Sequence, residues 1–261
     1  EYPTLPKNVA IIIPARIESS RFPNKPLCMI DNLPMIEYVR RSCLSAIPSS
    51  DVYVATDSQQ IKEVVESFGG NAILTSENCR TGTDRVAEVA NALVDYSHFI
   101  NVQGDEVFVS ASQIRSTLDY MRRFPDSVIN GYCQIEEAIA VQSPNVPKVV
   151  MGTDGQLIYM SRAIVPSNKK LAVADSVRYL KQVCIYGFNR NALRSFASAP
   201  TGSTEAQEDI EILRFLELGI PVKMVELDPT PLAVDVPEDA IRANQIMGAD
   251  SSLGEVQFYE L

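Results

Sequence analysis

The sequence predicts an α/β fold with a mostly parallel, doubly wound sheet and a smaller antiparallel insertion. Short apolar segments alternate with amphipathic segments along residues 9–102, and this alternation is typical of strands joined by crossover helices. After about residue 130 the pattern changes, and Asp154-Gly155 between two apolar runs predicts a β-hairpin. We therefore divide the chain into a core of residues 1–130 and 190–248, an insertion of residues 131–189, and a polar tail of residues 249–261.

Each predicted element has a local cause in the sequence. Apolar runs rich in β-branched residues predict strands at residues 9–13, 52–55, 72–74, 99–102, 183–186 and 222–227. Apolar residues at helical spacing predict helices at residues 34–46, 59–68, 83–93 and 204–216, and from residue 237 onward. We expect Asp31 or Asn32 to cap the first of these helices, with Pro34 in its first turn, and Ser58 to cap the second.

Composition and charge disfavour several classes of function. The 261 residues carry a net charge of −10, which argues against a nucleic-acid partner. No apolar stretch approaches the roughly 20 residues of a membrane span, and the amino-terminal segment lacks signal-peptide features. We therefore expect no membrane partner and a cytoplasmic location.

The five cysteines are far apart and form no C-x-x-C pair, so we expect reduced thiols. His98 is the only histidine, which leaves little room for a histidine-based relay.

A polar loop follows the first strand and carries two hydroxyls and three cations, at Ser19, Ser20, Arg16, Arg21 and Lys25. Ligands of open α/β sheets bind beyond the carboxyl ends of the strands, so this loop is a candidate cradle for a polyphosphate. It matches neither the Walker pattern nor the dinucleotide glycine pattern. A basic loop that only faces water is the alternative.

Three aspartates are predicted to stand at strand ends, at Asp57, Asp105 and Asp235. Gly104 allows a tight turn that would direct Asp105 off the tip of its strand. Two carboxylates that converge repel each other unless a cation joins them, and Mg²⁺ prefers a few carboxylates together with phosphate oxygens. A turn or a helix cap is the alternative for any one of them. Together with the basic loop, they favour a site for a metal and a triphosphate.

Several motifs, in order along residues 9–247, closely resemble the 3-deoxy-manno-octulosonate (Kdo) cytidylyltransferase family. They are Pro14-Ala-Arg16-Ile-Glu-Ser-Ser20-Arg21-Phe-Pro-Asn-Lys25, Val54-Ala-Thr-Asp57, Thr81-Gly-Thr-Asp-Arg85, Asn101-Val-Gln103-Gly-Asp105-Glu, Ser161-Arg162-Ala, Ile185-Tyr186-Gly, Ile210-Glu211-Ile-Leu-Arg214 and Val234-Asp235-Val-Pro-Glu238-Asp.

The resemblance implies a Rossmann-like nucleotidyltransferase sheet in a cytoplasmic homodimer, with the acceptor site and dimer contacts in the insertion. It further implies a Mg²⁺-dependent transfer of CMP from CTP to the anomeric hydroxyl of Kdo, an acidic 2-keto sugar. Pyrophosphate is the second product, and the reaction serves lipopolysaccharide biosynthesis.

The resemblance also implies roles for individual residues. The expected catalytic residues are Arg16, Lys25, Asp105 and Asp235, the last two as Mg²⁺ ligands. The expected CTP-binding residues are Ala15, Arg16, Ser19, Ser20, Arg21, Lys25, Ser76, Gly82, Thr83, Arg85 and Gln103. The expected sugar-binding residues are Gln103, Arg162, Gln182, Tyr186 and Glu211.

Three positions on the acceptor side depart from the family's usual residues. Gln182 stands in place of a histidine, Ile212 in place of an amide and Ser167 in place of a tryptophan. The same reaction on a modified acid, such as 8-amino-3,8-dideoxy-manno-octulosonate, therefore stays open. An inactive nucleotide-binding regulatory protein is the alternative from a different class.

Overall fold

A computed structural model of the chain describes residues 8–48, 51–169, 177–248 and 256–259. Its strands are β1 (Val9–Ala15), β2 (Met29–Ile30), β3 (Leu33–Pro34), β4 (Val52–Thr56), β5 (Asn71–Leu74), β6 (His98–Val102), β7 (Val128–Gln134), β8 (Lys148–Met151), β9 (Leu157–Ser161), β10 (Leu180–Asn189) and β11 (Val222–Glu226). Its helices are α1 (Met35–Leu44), α2 (Gln59–Ser67), α3 (Gly82–Ala92), α4 (Ala111–Arg123), α5 (Ala138–Gln142), α6 (Arg190–Ser198), α7 (Ser203–Glu208), α8 (Leu213–Glu217) and α9 (Pro237–Met247).

The main sheet of the described residues has nine strands, seven of them in the order β11-β7-β10-β6-β1-β4-β5. The pairs β1–β4, β1–β6, β4–β5 and β11–β7 are parallel, whereas β10 runs antiparallel between β6 and β7. The carboxyl ends of β1, β4 and β6 and the amino end of β10 therefore meet at one edge of the sheet. This architecture confirms the predicted mostly parallel α/β fold.

Helices cover both faces of the sheet because β1 is apolar on both sides. Ile11 and Ile13 pack in one core cluster with residues of α1, α2, α4 and α9. Ala10 and Ile12 pack in a second cluster with residues of α3, α6 and α8. Each layer of helices thus holds the sheet rigid below the loops at its carboxyl edge. No described helix is both long enough and apolar enough to cross a bilayer.

The predicted hairpin is present, since β8 and β9 pair antiparallel and the Gly152 N–H donates to the Gln156 carbonyl at 2.8 Å. The predicted insertion, residues 131–189, begins inside β7 and ends with β10, and both of these strands belong to the central sheet. The boundaries of the insertion stay a prediction. Most of the predicted tail, residues 249–255 and 260–261, lies outside the described residues. The described part pairs with the chain after the polar loop, because the Met29 N–H donates to the Gln257 carbonyl at 2.8 Å.

Two local predictions were wrong. Asp31 and Asn32 do not cap α1; with φ of 46° and 63° they form the left-handed turn of the β2–β3 hairpin, and α1 begins only after Pro34. The helix predicted at residues 204–216 is two short helices, α7 and α8. Asp209 adopts φ of 52° at the end of α7, which stops the first helix. By contrast, Ser58 caps α2 as predicted, since its side chain accepts the Ile61 N–H.

Candidate active site

A cavity of about 390 Å³ opens at the carboxyl edge of the sheet. Its walls come from the loop after β1, the turn after β6, the start of α3, the α7–α8 connection and the segment before α9. Of the residues expected to bind CTP, the lining contains Ala15, Arg16, Ser19, Arg21, Lys25, Gly82, Arg85 and Gln103. It also contains Asp105, Asp235 and Glu211. Segments far apart in sequence therefore meet here. Asp57 and Asp105 follow β4 and β6 as predicted, but the apolar residues 232–234 before Asp235 do not form a strand, so that part of the prediction was wrong.

Lys25 brings the two aspartates of the predicted metal site together. Its Nζ lies 2.7 Å from Oδ2 of Asp105 and 3.8 Å from Oδ1 of Asp235. The same ammonium donates to the Val234 carbonyl at 2.9 Å, and Arg21 reaches Asp235 at 3.3 Å. The two carboxylates thus face a single cationic position beside the loop of arginines and serines.

Backbone contacts hold this arrangement in place. The Val234 N–H donates to the carbonyl of Asp105 at 3.1 Å, which ties the segment before α9 to the turn after β6. Asp239 accepts the N–H groups of Asp235 and Val236, so the start of α9 is capped and Asp235 is oriented. A Cβ at Gly104 would lie 3.0 Å from the Pro14 carbonyl oxygen. A side chain at this position would therefore push the turn away from β1 by a few tenths of an ångström.

The donor set fits Mg²⁺ as an ion shared with a substrate. Asp105 and Asp235 both approach Lys25, so their carboxylate oxygens are the ones that would hold the ion, and Mg²⁺ prefers a few carboxylates together with phosphate oxygens. Among the described residues there is no cluster of three or more histidine, cysteine or acidic side chains that could hold a metal.

Glu106 is a third carboxyl group close to this pair. It is buried, and burial raises its pKa to about 8, with further contributions from the charges of Asp105 and Asp235. Glu106 is accordingly protonated at neutral pH.

Asp57, the third of the aspartates predicted at strand ends, connects two walls of the cavity through its side-chain contacts. Its Oδ2 accepts from Nη2 of Arg85 at 2.9 Å and its Oδ1 accepts the Ile17 N–H at 3.2 Å. Arg85 also donates to the hydroxyl of Thr75. This buried ion pair joins the loop after β1 to α3, and so fixes one wall of the cavity against another.

Glu211 occupies the amino terminus of α3. Its carboxylate accepts the N–H groups of Gly82 at 3.3 Å and of Thr83 at 3.0 Å. These hydrogen bonds favour the charged form, although burial is the larger effect and raises the pKa of Glu211. Since the first N–H groups of α3 are already satisfied, they are not free for a phosphate. The cations that line the cavity, among them those of the loop after β1, are candidates for that role.

Gly82 closes tightly on Gln103 in the cavity wall. A Cβ at this position would lie 3.0 Å from Nε2 and 3.3 Å from Oε1 of Gln103. Gln103 in turn donates to Oδ1 of the buried Asn101 at 3.3 Å. A larger residue at position 82 would therefore displace an amide that lines the cavity.

Six predicted site residues lie outside the cavity lining: Ser20, Ser76, Thr83, Arg162, Gln182 and Tyr186. Arg162 departs most from its expected contact with the sugar. Its guanidinium donates to the backbone carbonyls of Pro144, Glu208 and Asp209, and its N–H donates to the Glu208 carboxylate. In this structure Arg162 therefore anchors the end of α7.

Other residues of the site were not predicted from the sequence. Arg80, Cys79 and Asp209 line the cavity, and so does Glu205. Glu205 forms a bidentate pair with the buried Arg214, with both N···O distances at 2.6 Å. Arg80 and Asp209 follow from no motif, because their place depends on how α3 and α7 pack.

Comparisons with known proteins identify the family of this chain. The sequence profile of the cytidylyltransferase family matches residues 10–224. The chain is 38% identical to the 3-deoxy-manno-octulosonate cytidylyltransferase of Myxococcus xanthus over 91% of this chain and 96% of that protein. It is 34% identical to the 8-amino-3,8-dideoxy-manno-octulosonate cytidylyltransferase of Shewanella oneidensis over 93% of this chain and 100% of that protein.

A solved structure shows the same likeness in three dimensions. The CMP:2-keto-3-deoxy-manno-octonic acid synthetase complexed with CTP superposes with a TM-score of 0.87 at 34% identity, covering 93% of this chain and 99% of that one. The family resemblance in the motifs and the predicted enzyme class are thus confirmed. The chain belongs to the cytidylyltransferase family, with 3-deoxy-manno-octulosonate cytidylyltransferases among its relatives.

Proposed function

We propose that this protein transfers CMP from CTP to the anomeric hydroxyl of 3-deoxy-manno-octulosonate and releases pyrophosphate, for lipopolysaccharide biosynthesis. The observation that carries the proposal is the convergence of Asp105 and Asp235 on Lys25 beside the cavity. Relatives named for this reaction cover nearly the whole chain. The metal ligands and the substrate contacts described below are part of the proposal.

The loop after β1 holds the triphosphate in this proposal. Arg16 and Arg21 line the cavity on the side of this loop, and Lys25 stands between the loop and the two aspartates. Positive side chains give charge-assisted hydrogen bonds to phosphate oxygens. In the reaction the sugar hydroxyl oxygen bonds to the α-phosphorus, and the hydroxyl proton passes to water. The bond between the α-phosphorus and the oxygen that bridges it to the β-phosphorus breaks, and pyrophosphate leaves with that oxygen. Lys25 and Arg16 stabilise the charge that grows on the departing pyrophosphate.

Asp105 and Asp235 are the proposed Mg²⁺ ligands. When bound there, Mg²⁺ supplies a positive charge next to the α-phosphate and the incoming hydroxyl. The protein's own part is to hold the two carboxylates and to keep the nucleotide in line. Positioning and charge stabilisation are sufficient for this type of transfer.

The acceptor acid extends from the cavity toward β10 in this proposal. Gln103 lines the cavity, and Gln182 and Tyr186 follow on the neighbouring strand. The named relatives include enzymes for Kdo and for its 8-amino analogue, so the analogue is the second acceptor to test.

We further propose that the enzyme works as a homodimer in the cytoplasm. Free thiols at Cys28, Cys43, Cys79, Cys133 and Cys184 are compatible with a reducing compartment. Light scattering of the purified protein tests the dimer.

Pyrophosphate release from CTP and Mg²⁺, measured over a panel of 2-keto acids, tests the proposed reaction. We expect turnover with Kdo and none when both Kdo and its analogue are absent. Turnover with the 8-amino analogue and not with Kdo would show that the analogue, rather than Kdo, is the acceptor. No turnover with any acid, although CTP binds, would favour the inactive regulatory protein.

A further inference from the structure

A bulge in β10 lies next to the proposed acceptor side of the cavity. Against β7, Val183 pairs with Gly131 and Tyr186 pairs with Asn130, so Cys184 and Ile185 are extra residues on β10. Against β6 the pairing stays regular, with Ile185 opposite Val102. Bulges of this kind leave backbone groups without ladder partners and redirect the neighbouring side chains.

The side chain of Asn130 takes the place of the missing ladder bonds. It is completely buried, and its Nδ2 donates to the carbonyls of Val183 at 3.1 Å and Ile185 at 3.0 Å. Carbonyl oxygens only accept hydrogen bonds, so the amide nitrogen of Asn130 must face them. Its oxygen must therefore point the other way.

This orientation determines the orientation of a second amide. Oδ1 of Asn130 accepts from Nε2 of Gln182 at 2.9 Å, and the same Nε2 donates to the hydroxyl of Tyr186 at 3.3 Å. Both N–H bonds of the Gln182 amide are thus used. Within the described part of the chain its Oε1 makes no hydrogen bond, so it is the group of this side chain that remains for a ligand.

We infer that the buried Asn130 is a positioning residue that makes Gln182 offer a carbonyl oxygen to the acceptor acid. The inference rests on the proposed function. Tyr186 lies beside Asn101 in the sheet, and Asn101 holds Gln103 in the cavity wall. An oxygen at Gln182 selects a hydrogen-bond donor on the acid. A hydroxyl and an amine both donate, so this contact accepts Kdo and its 8-amino analogue alike and rejects an acid that lacks the donor.

A double-mutant cycle tests the coupling between the two residues. We expect Asn130→Ala and Gln182→Ala each to raise KM for the acid about tenfold, as the loss of one hydrogen bond does, with KM for CTP unchanged. The double variant should then lie within about twofold of either single variant, since both break one contact. An unchanged KM for the acid in Asn130→Ala, or effects that multiply, would overturn the inference.

Asn189→Ala is the matched control. Asn189 also lies on β10 and makes two hydrogen bonds, to the Ala192 N–H and the Pro125 carbonyl, but at the opposite end of the strand. We expect this variant to lower the melting temperature and to leave KM for the acid unchanged. A similar rise in KM would show that general loosening of β10 is the cause.

A second measurement needs no variant and no turnover. In the intact protein, NMR hydrogen exchange of the Gln182 side-chain amide should be slow for both protons compared with exposed glutamines. Fast exchange would contradict the inference even if Asn130→Ala does not fold. The absence of pyrophosphate release by the wild-type enzyme would instead count against the proposed function and would leave this result standing.

Discussion

Lys25 and Asp105 form a partly buried ion pair with 2.7 Å between Nζ and Oδ2, although 80 residues separate them in the sequence. Lys25 also lies 3.8 Å from Asp235, and Arg21 reaches the same carboxylate at 3.3 Å, so two basic side chains face the two aspartates. Lys25 therefore connects the two carboxylates with the loop that we propose to hold the triphosphate.

Lys25→Ala should chiefly slow the chemical step. We expect kcat to fall about a hundredfold with a smaller change in KM for the acid, because the charge on departing pyrophosphate loses a donor. Steady-state kinetics with CTP and Kdo measure this. Lys62→Ala is the control, since Lys62 pairs with Glu66 along α2. A near-normal kcat would remove the assigned role.

Asp105→Asn should abolish most turnover while CTP still binds in the absence of metal. We expect a loss of about a hundredfold or more in kcat, since a neutral amide is a poor Mg²⁺ ligand. Kinetics and calorimetric titration of CTP with and without Mg²⁺ check both parts. Asp119→Asn removes a surface carboxylate of α4 and should be silent. Full activity of Asp105→Asn would defeat the metal assignment.

Arg85→Met should destabilise the fold, because it leaves the Asp57 carboxylate buried without its partner. The two side chains are only 4% and 12% exposed, and breaking such a pair costs about 3–5 kcal/mol. Urea unfolding measures the change in free energy. Arg178→Met breaks an exposed ion pair with Glu226 and should cost less than about 1 kcal/mol. Equal losses of unfolding free energy in the two variants would show that the buried Asp57–Arg85 pair stabilises the fold no more than an exposed pair does.

Gly82→Ala should lower activity without unfolding the protein. The added Cβ would lie 3.0 Å from the Gln103 amide, which must move, while alanine is well tolerated in the first turn of a helix. We expect kcat/KM to fall about tenfold and the unfolding free energy to stay within about 1 kcal/mol. An unaltered kcat/KM would show that the position of Gln103 does not matter for turnover.

The sequence predicts the strands at the centre of the fold because each is buried on both faces. Residues 9–13, 52–55 and 99–102 are almost entirely apolar, and no other structure suits such short runs. The antiparallel place of β10 between β6 and β7 has no local signal, since strand order depends on contacts between distant segments. Helix α4 was missed although Ser110 and Gln113 form a capping box at its start.

The candidate site also has some features with a local sequence signal and others that depend on contacts between distant segments. The place of Asp105 could be predicted because it follows the buried run of β6. Asp235 does reach the same point, but the apolar run before it is not a strand. A hydrogen bond from the Val234 N–H to the Asp105 carbonyl holds it there. The place of Arg162 could not, because the carbonyls that it binds are exposed only where α7 ends at Asp209. The motif around Arg162 predicts a functional arginine, but only the tertiary structure shows which groups its guanidinium contacts.

The central claim is that Asp105 and Asp235 share one divalent cation. Crystals grown with CTP and Mn²⁺, with anomalous diffraction recorded at the manganese edge, test it most directly. We predict an anomalous peak within coordination distance of an oxygen of each carboxylate and of a phosphate oxygen. A peak bound by only one of the two aspartates, or by phosphates alone, would contradict the account.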